Sequence, residues 1–111
     1  MFGLGSLFGG GNSEFVTVLD AEEYRERVSK GKVQLIDVRT AGEYQMGHIK
    51  GAKNADLFSQ VQFKQIVSKF DTEKPVYIYC QSGNRSKTAS SILVGMGFKE
   101  IYDLSGGILR Y

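Results

Sequence analysis

Apolar positions along this chain fall into two alternating spacings. Short, nearly continuous runs of β-branched and aromatic residues, FVTV (15–18), VQLIDV (33–38), VYIY (76–79) and EIYDL (100–104), have the length and composition of strands. VQLIDV and VYIY are apolar at both alternate positions, as in strands of a parallel sheet covered above and below. Between these runs the period lengthens. Tyr24 and Val28 share one face of a helix opened by Asp20 as N-cap, with Glu23 three residues on and Leu19 and Tyr24 as a staple; Gly31 ends it. Thr40 and Glu43 form a capping box, TAGE, ahead of a short helical turn. Over 57–70, Phe63, Ile66, Val67 and Phe70 fall at i, i+3, i+4 and i+7. Ala89, Ile92, Leu93 and Met96 repeat the spacing in a last helix stopped by Gly97. The glycine-punctuated loop MGHIKGAKNA brushes a brief strand near Asn54 and Ala55.

Strands and helices therefore alternate, β-α-β-α-β-α-β-α-β, without an internal repeat. That order predicts an α/β fold: a small, mostly parallel five-stranded sheet with helices on both faces. Ligands of such sheets collect at the carboxyl ends of the strands. Cys80, the only cysteine, stands at the end of VYIY.

Composition narrows the chemistry. The 111 residues suffice for one domain and its core. A net charge of +2 argues against a nucleic-acid face, so any electrostatics that matter are local. A single cysteine rules out an internal disulfide and fits a reducing compartment. With a single histidine beside it, no Cys/His zinc spacing can be assembled, and neither metal nor cofactor is expected. The opening MFGLGSLFGGG is apolar, but no Lys or Arg precedes Arg25 and five glycines interrupt it. It falls well short of the ~20 residues that a spanning helix needs. The reading is a flexible arm over 1–13 rather than a docking or dimerising segment, ahead of a domain over 14–111, with no membrane association and a cytoplasmic location.

The stretch YCQSGNRSK carries the chemistry. A strand, a tight polar loop and a helix start turn successive backbone N–H groups inward as an anion nest, and Gly83 supplies backbone angles closed to other residues. The helix opening near Arg85 adds its positive end; Arg85 and Lys87 add full charges, and Ser82 and Ser86 add hydroxyl donors. All of this favours the Cys80 thiolate, a nucleophile towards electrophilic sulfur or phosphorus. The competing reading is a small buried hydrophobe. The glycine, serines and cations beside Cys80 weigh against it.

These residues carry a resemblance. IDVRTAGEYQMGHIKGAKNA, YCQSGNRS and GFKEIYDLSGGI, in that order over roughly 15–111, resemble the single-domain rhodanese-like (thiosulfate sulfurtransferase) family. The resemblance implies a persulfide on Cys80, formed from a donor such as thiosulfate and passed to cyanide or a thiol. It implies that Cys80, Gln81, Ser82, Gly83, Asn84, Arg85 and Ser86 form the active-site loop and its rim. Asp37, Arg39 and Lys87 take supporting roles. Asp37 and Arg39 are expected to tie strand to loop through buried ion pairs, with Glu43 as a partner of Arg39. His48 and the strand tyrosines Tyr77 and Tyr79 are read as structural, and Tyr111 stands where the family often has tryptophan. Partners would be small-molecule sulfur donors and acceptors, or a protein persulfide donor. A monomer is expected, a dimer through the arm being the alternative. Two rival readings remain: a carrier module without turnover, and a small phosphatase. Related phosphatases place five residues between Cys and Arg, whereas here there are four, Gln81 to Asn84.

Overall fold

The computed structural model describes residues 14–111, so the arm over 1–13 lies outside the described residues. The elements run β1 (Val16–Leu19), α1 (Ala21–Ser29), β2 (Gln34–Asp37), α2 (Ala41–Met46), β3 (Lys53–Asn54), α3 (Gln60–Val67), β4 (Val76–Tyr79), α4 (Arg85–Gly95), β5 (Ile101–Leu104) and a terminal 3-10 turn (Gly107–Arg110). The five strands form one sheet in the order β1-β5-β4-β2-β3, and every pairing is parallel. The α/β alternation read from the sequence is the observed architecture.

Strand alternation splits the core in two. On one face Ile36, Val38, Val76, Ile78, Cys80 and Ile101 pack with Phe63 and Val67 of α3, with Ala89 and Leu93 of α4, and with Phe98. On the other, Leu35, Tyr77, Tyr79 and Leu104 pack with Tyr24 of α1 and with Ile49 and Ala52. Central β4 is buried at all four positions, which explains its unbroken apolar run. Tyr24, wholly buried, brings its hydroxyl within 2.9 Å of the Ile78 carbonyl oxygen, to which it donates.

Local signals hold at the helix ends. Asp20 accepts from the Glu23 N–H at 2.9 Å, and both halves of the Thr40–Glu43 capping box are present. The helix expected over 57–70 is shorter. Leu57 lies in a turn and donates its N–H to Val38 O just past β2 at 3.1 Å, and Asp56 folds that turn onto the Phe58 N–H at 2.9 Å. A helix opens only after Ser59. No helix among the described residues is long and apolar enough to cross a membrane.

Candidate active site

Cys80 leaves β4 at its carboxyl end and is 1% exposed. The Gly83 N–H donates to Sγ at 3.1 Å, and Ser86 Oγ lies 3.5 Å from the sulfur. Gly83 adopts φ +101°, the left-handed region that favours glycine, and a Cβ there would lie 3.3 Å from Gly106 N. The expected cradle of amides from Gln81 to Ser86 is thus represented at the sulfur by one of them, that of Gly83. Asn84 opens α4 without a side-chain cap, so the positive helix end stays directed at the loop.

The loop is gripped from outside by the segment after β5. Ile108 N–H donates to Cys80 O at 2.9 Å and Leu109 N–H to Gln81 O at 3.2 Å. Gly107 makes this approach feasible: a Cβ there would stand 2.3 Å from Gln81 O and 2.7 Å from Cys80 O. The SGGI motif therefore positions the loop as well as closing the fold. Tyr111 completes the same face, its ring edge-on to Tyr24 with Arg25 above it.

Arg85 forks onto Glu43, Nη1 to Oε1 at 2.7 Å and Nη2 to Oε2 at 2.9 Å. The Thr40 N–H and hydroxyl hold Glu43 in place. The Arg85 guanidinium is the main reason that the Glu43 carboxyl falls to about 2, and the pairing raises Arg85 in turn. Arg85 also lies 5.5 Å from the Phe58 ring centre. The expected Arg39–Glu43 pair is therefore replaced by Arg85–Glu43. Arg39 turns instead to Asp37, two residues back on the same side of the chain, through Nε at 3.0 Å and Nη2 at 2.8 Å. Asp37 is fully buried and also accepts from the Arg39 N–H and the Tyr79 hydroxyl, each at 2.9 Å. The Tyr79 oxygen accepts from the Ile49 N–H at 3.0 Å. Burial pushes the Tyr79 hydroxyl well above the usual phenol range. Arg39 Nη1 donates to Gln81 Oε1 at 3.1 Å, which carries this network to the loop.

The other expected residues divide. Ser82, Asn84 and Lys87 are exposed and line a cleft of about 100 Å³ with Gly83 and Asp103. His48 stacks on Tyr44 at 3.6 Å with Nδ1 2.8 Å from Tyr44 O, so it is engaged away from the sulfur. A larger concavity of about 1020 Å³, bordered by Val28, Val33, Leu35 and His48, includes none of the residues of the Cys80 loop. Chemistry rather than size assigns the site to Cys80.

Two buried polar residues behind the loop are not among the expected ones. Asp103 is 2% exposed and Ser90 3%, and among the described residues Asp103 Oδ1 and Ser90 Oγ have no hydrogen-bond partner. Burial raises the Asp103 carboxyl above its usual range, while the Ser86 hydroxyl and the Lys87 charge act against that rise. A signal existed: in EIYDL, strand alternation puts Asp103 on the same face as core residue Ile101.

The relatives agree with this fold. The rhodanese-like domain family model matches residues 20–111. The uncharacterized protein YqhL of Bacillus subtilis is 44% identical over 93 residues, covering 84% of this chain and 70% of YqhL. The tRNA uridine(34) hydroxylase of Acinetobacter baumannii is 36% identical over 96 residues, 84% of this chain but 31% of that enzyme. The chain thus spans about a third of the length of this second relative. Among solved structures, a rhodanese-like domain protein from Staphylococcus aureus superposes with a TM-score of 0.73 at 26% identity, covering 85% of this chain and 89% of that one. The human single-domain sulfurtransferase TSTD1 has the same fold, with a TM-score of 0.71 at 23% identity over 84% of this chain and 92% of that one. With its parallel sheet, its Cys80 loop and a family match over nearly all the described residues, the chain belongs to the rhodanese-like domain family.

Proposed function

We propose that the protein is a sulfurtransferase working through a persulfide on Cys80. The observation that carries this reading is the sulfur's setting: Sγ at a strand end, taking the Gly83 N–H at 3.1 Å, in a loop that runs into the N-terminus of α4. The Cys80 thiolate attacks the outer sulfur of a donor such as thiosulfate. A Sγ–S bond forms as the donor's S–S bond breaks, and sulfite leaves with the electron pair. A thiol or cyanide then attacks the outer sulfur of the persulfide and releases the Cys80 thiolate. No cofactor enters these steps. A small donor and acceptor, or a protein persulfide as donor, would meet Cys80 from the side of Ser82, Asn84 and Lys87, with Lys87 attracting anions. A monomer in the cytoplasm is part of the same proposal.

This chain matches about a third of a tRNA uridine(34) hydroxylase, which supports a second reading in which the domain serves a larger activity, here as a sulfur-carrying module. Mass spectrometry after thiosulfate exposure tests both: a cyanide-labile gain of one sulfur on the Cys80 peptide is expected, and its absence refutes both. Steady thiosulfate:cyanide turnover then separates enzyme from carrier. Cys80→Ser is expected to abolish transfer with the unfolding curve unchanged, and activity surviving it would rule out the mechanism. The four-residue span between Cys80 and Arg85 predicts no turnover of an aryl phosphate.

A further inference from the structure

Among the described residues, five large apolar side chains are more than half exposed: Val18, Met46, Phe58, Val61 and Leu109. Scattered singly over a surface, such residues need no explanation. These five gather at the end of the sheet where the strands finish and Cys80 stands. Val18, next to last in β1, lines the small cleft with Ser82, Gly83 and Asn84. Leu109 gives its N–H to Gln81 O at 3.2 Å. The Phe58 ring centre lies 5.5 Å from the Arg85 guanidinium carbon, and Val61 follows in the first turn of α3. Met46 closes α2 beside Gly47, whose carbonyl oxygen accepts from Arg39 Nη2 at 2.7 Å, while Arg39 Nη1 reaches Gln81 Oε1 at 3.1 Å. These contacts set four of the five around the Cys80 loop, with Val61 beside them.

The charges at this end are mostly engaged. Arg39 is bound to Asp37 at 2.8 Å and Arg85 to Glu43 at 2.7 Å. Exposed Lys87 remains as the loop's cation outside any ion pair among the described residues. A small dianion therefore meets one free cation here and has nothing to lay against the apolar collar. A thiol that arrives with apolar neighbours does, and the core of a protein–protein contact is built in that way.

We propose that the collar docks the acceptor of the sulfur, and that this acceptor is a protein whose cysteine lies between apolar residues. The inference rests on the persulfide reading of Cys80 and names the acceptor class for it. Cys80 is buried, but a persulfide carries its outer sulfur ~2 Å beyond Sγ. The acceptor thiolate attacks that outer sulfur, and a new S–S bond forms on the partner as the Sγ–S bond breaks. The bonding electron pair stays on Sγ, Cys80 returns to thiolate, and the partner leaves as the persulfide. No oxidant or reductant is needed.

Two peptides serve as probes, acetyl-Leu-Cys-Leu-amide and acetyl-Gly-Cys-Gly-amide, which share the thiol and differ in its flanks. The full chain is loaded with thiosulfate, the persulfide is verified by mass, and its discharge rate constant is measured with each peptide. The ratio of the two constants cancels any effect of a substitution on the chemistry itself. A ratio of about ten is expected for the wild type, from partial burial of two leucine side chains against the collar. Phe58→Ser and Leu109→Ser, both at exposed positions, are each expected to lower it to about three, and the double variant to about one. A wild-type ratio of about one, or a ratio that the double variant keeps, overturns the proposal. If the wild type sediments as a dimer that Phe58→Ser dissociates, the collar faces a second copy of the chain and the proposal is overturned as well. Failure of the persulfide to form overturns the sulfur-transfer reading and this inference with it, whereas a loaded protein without preference overturns this inference alone.

Discussion

Replacing Glu43 by glutamine tests the ion pair that holds the loop arginine. Glu43→Gln keeps the shape of the side chain and removes the charge that Arg85 grips at 2.7 and 2.9 Å. The Glu43 carboxyl falls from 4.5 to about 2 on folding, chiefly through Arg85. At about 1.4 kcal/mol per unit, a fully shielded pair would contribute roughly 3 kcal/mol. The Glu43 side chain is 31% exposed and that of Arg85 22%. Solvent screening therefore reduces the figure to about 1–2 kcal/mol. The sign follows from linkage. A carboxyl depressed on folding stabilises the native state above its unfolded value of 4.5, and that contribution is lost as pH falls towards about 2. Urea unfolding of both proteins at a series of pH values measures it. The wild type should exceed the variant by about 1–2 kcal/mol near neutrality, with the gap closing as pH falls from about 4.5 to about 2. A gap that is absent at neutral pH, or that stays constant through the acid range, would refute the reasoning. Arg85 freed of its partner should also loosen the loop, seen as a changed rate of Cys80 alkylation.

Two further substitutions probe the supports of the loop. Gly107→Ala puts a methyl group 2.3 Å from Gln81 O at φ +68°; it should cost more than about 2 kcal/mol in chemical unfolding and slow sulfur transfer, because the loop must move aside. Wild-type stability and rate in that variant would show that the 106–109 segment does not position Cys80. Tyr79→Phe removes the hydroxyl between Asp37 and the Ile49 N–H; an unfolding experiment should show a loss of about 1–3 kcal/mol, and a change within error would contradict the buried network.

Much of this protein is legible in its sequence. The Thr40–Glu43 capping box, the Asp20 cap and the unbroken apolar run of β4 all rest on interactions within a few residues, and each is present in the fold. Glu43 nevertheless carries two messages, and only the local one can be read from the chain. Its capping role is plain, whereas closeness in sequence points to Arg39 as its ionic partner and the fold supplies Arg85, 42 residues away. The 57–70 helix shows the limit in another form: Phe63, Ile66, Val67 and Phe70 keep a helical period, but the Leu57 N–H is taken by the Val38 carbonyl just past β2 and the helix starts late.

Period, capping residues and turn chemistry act over one or two turns of chain, so the sequence alone determined the element order, the parallel α/β class and the placement of Cys80 at a strand end ahead of a helix. The strand order β1-β5-β4-β2-β3 decided the rest, because it sets side by side residues far apart along the chain. That packing set Asp103 beside the Cys80 loop, closed the Gly107 backbone onto Gln81 and gave Arg85 rather than Arg39 to Glu43. A side chain's partner depends on which strands become neighbours, and no local pattern encodes that.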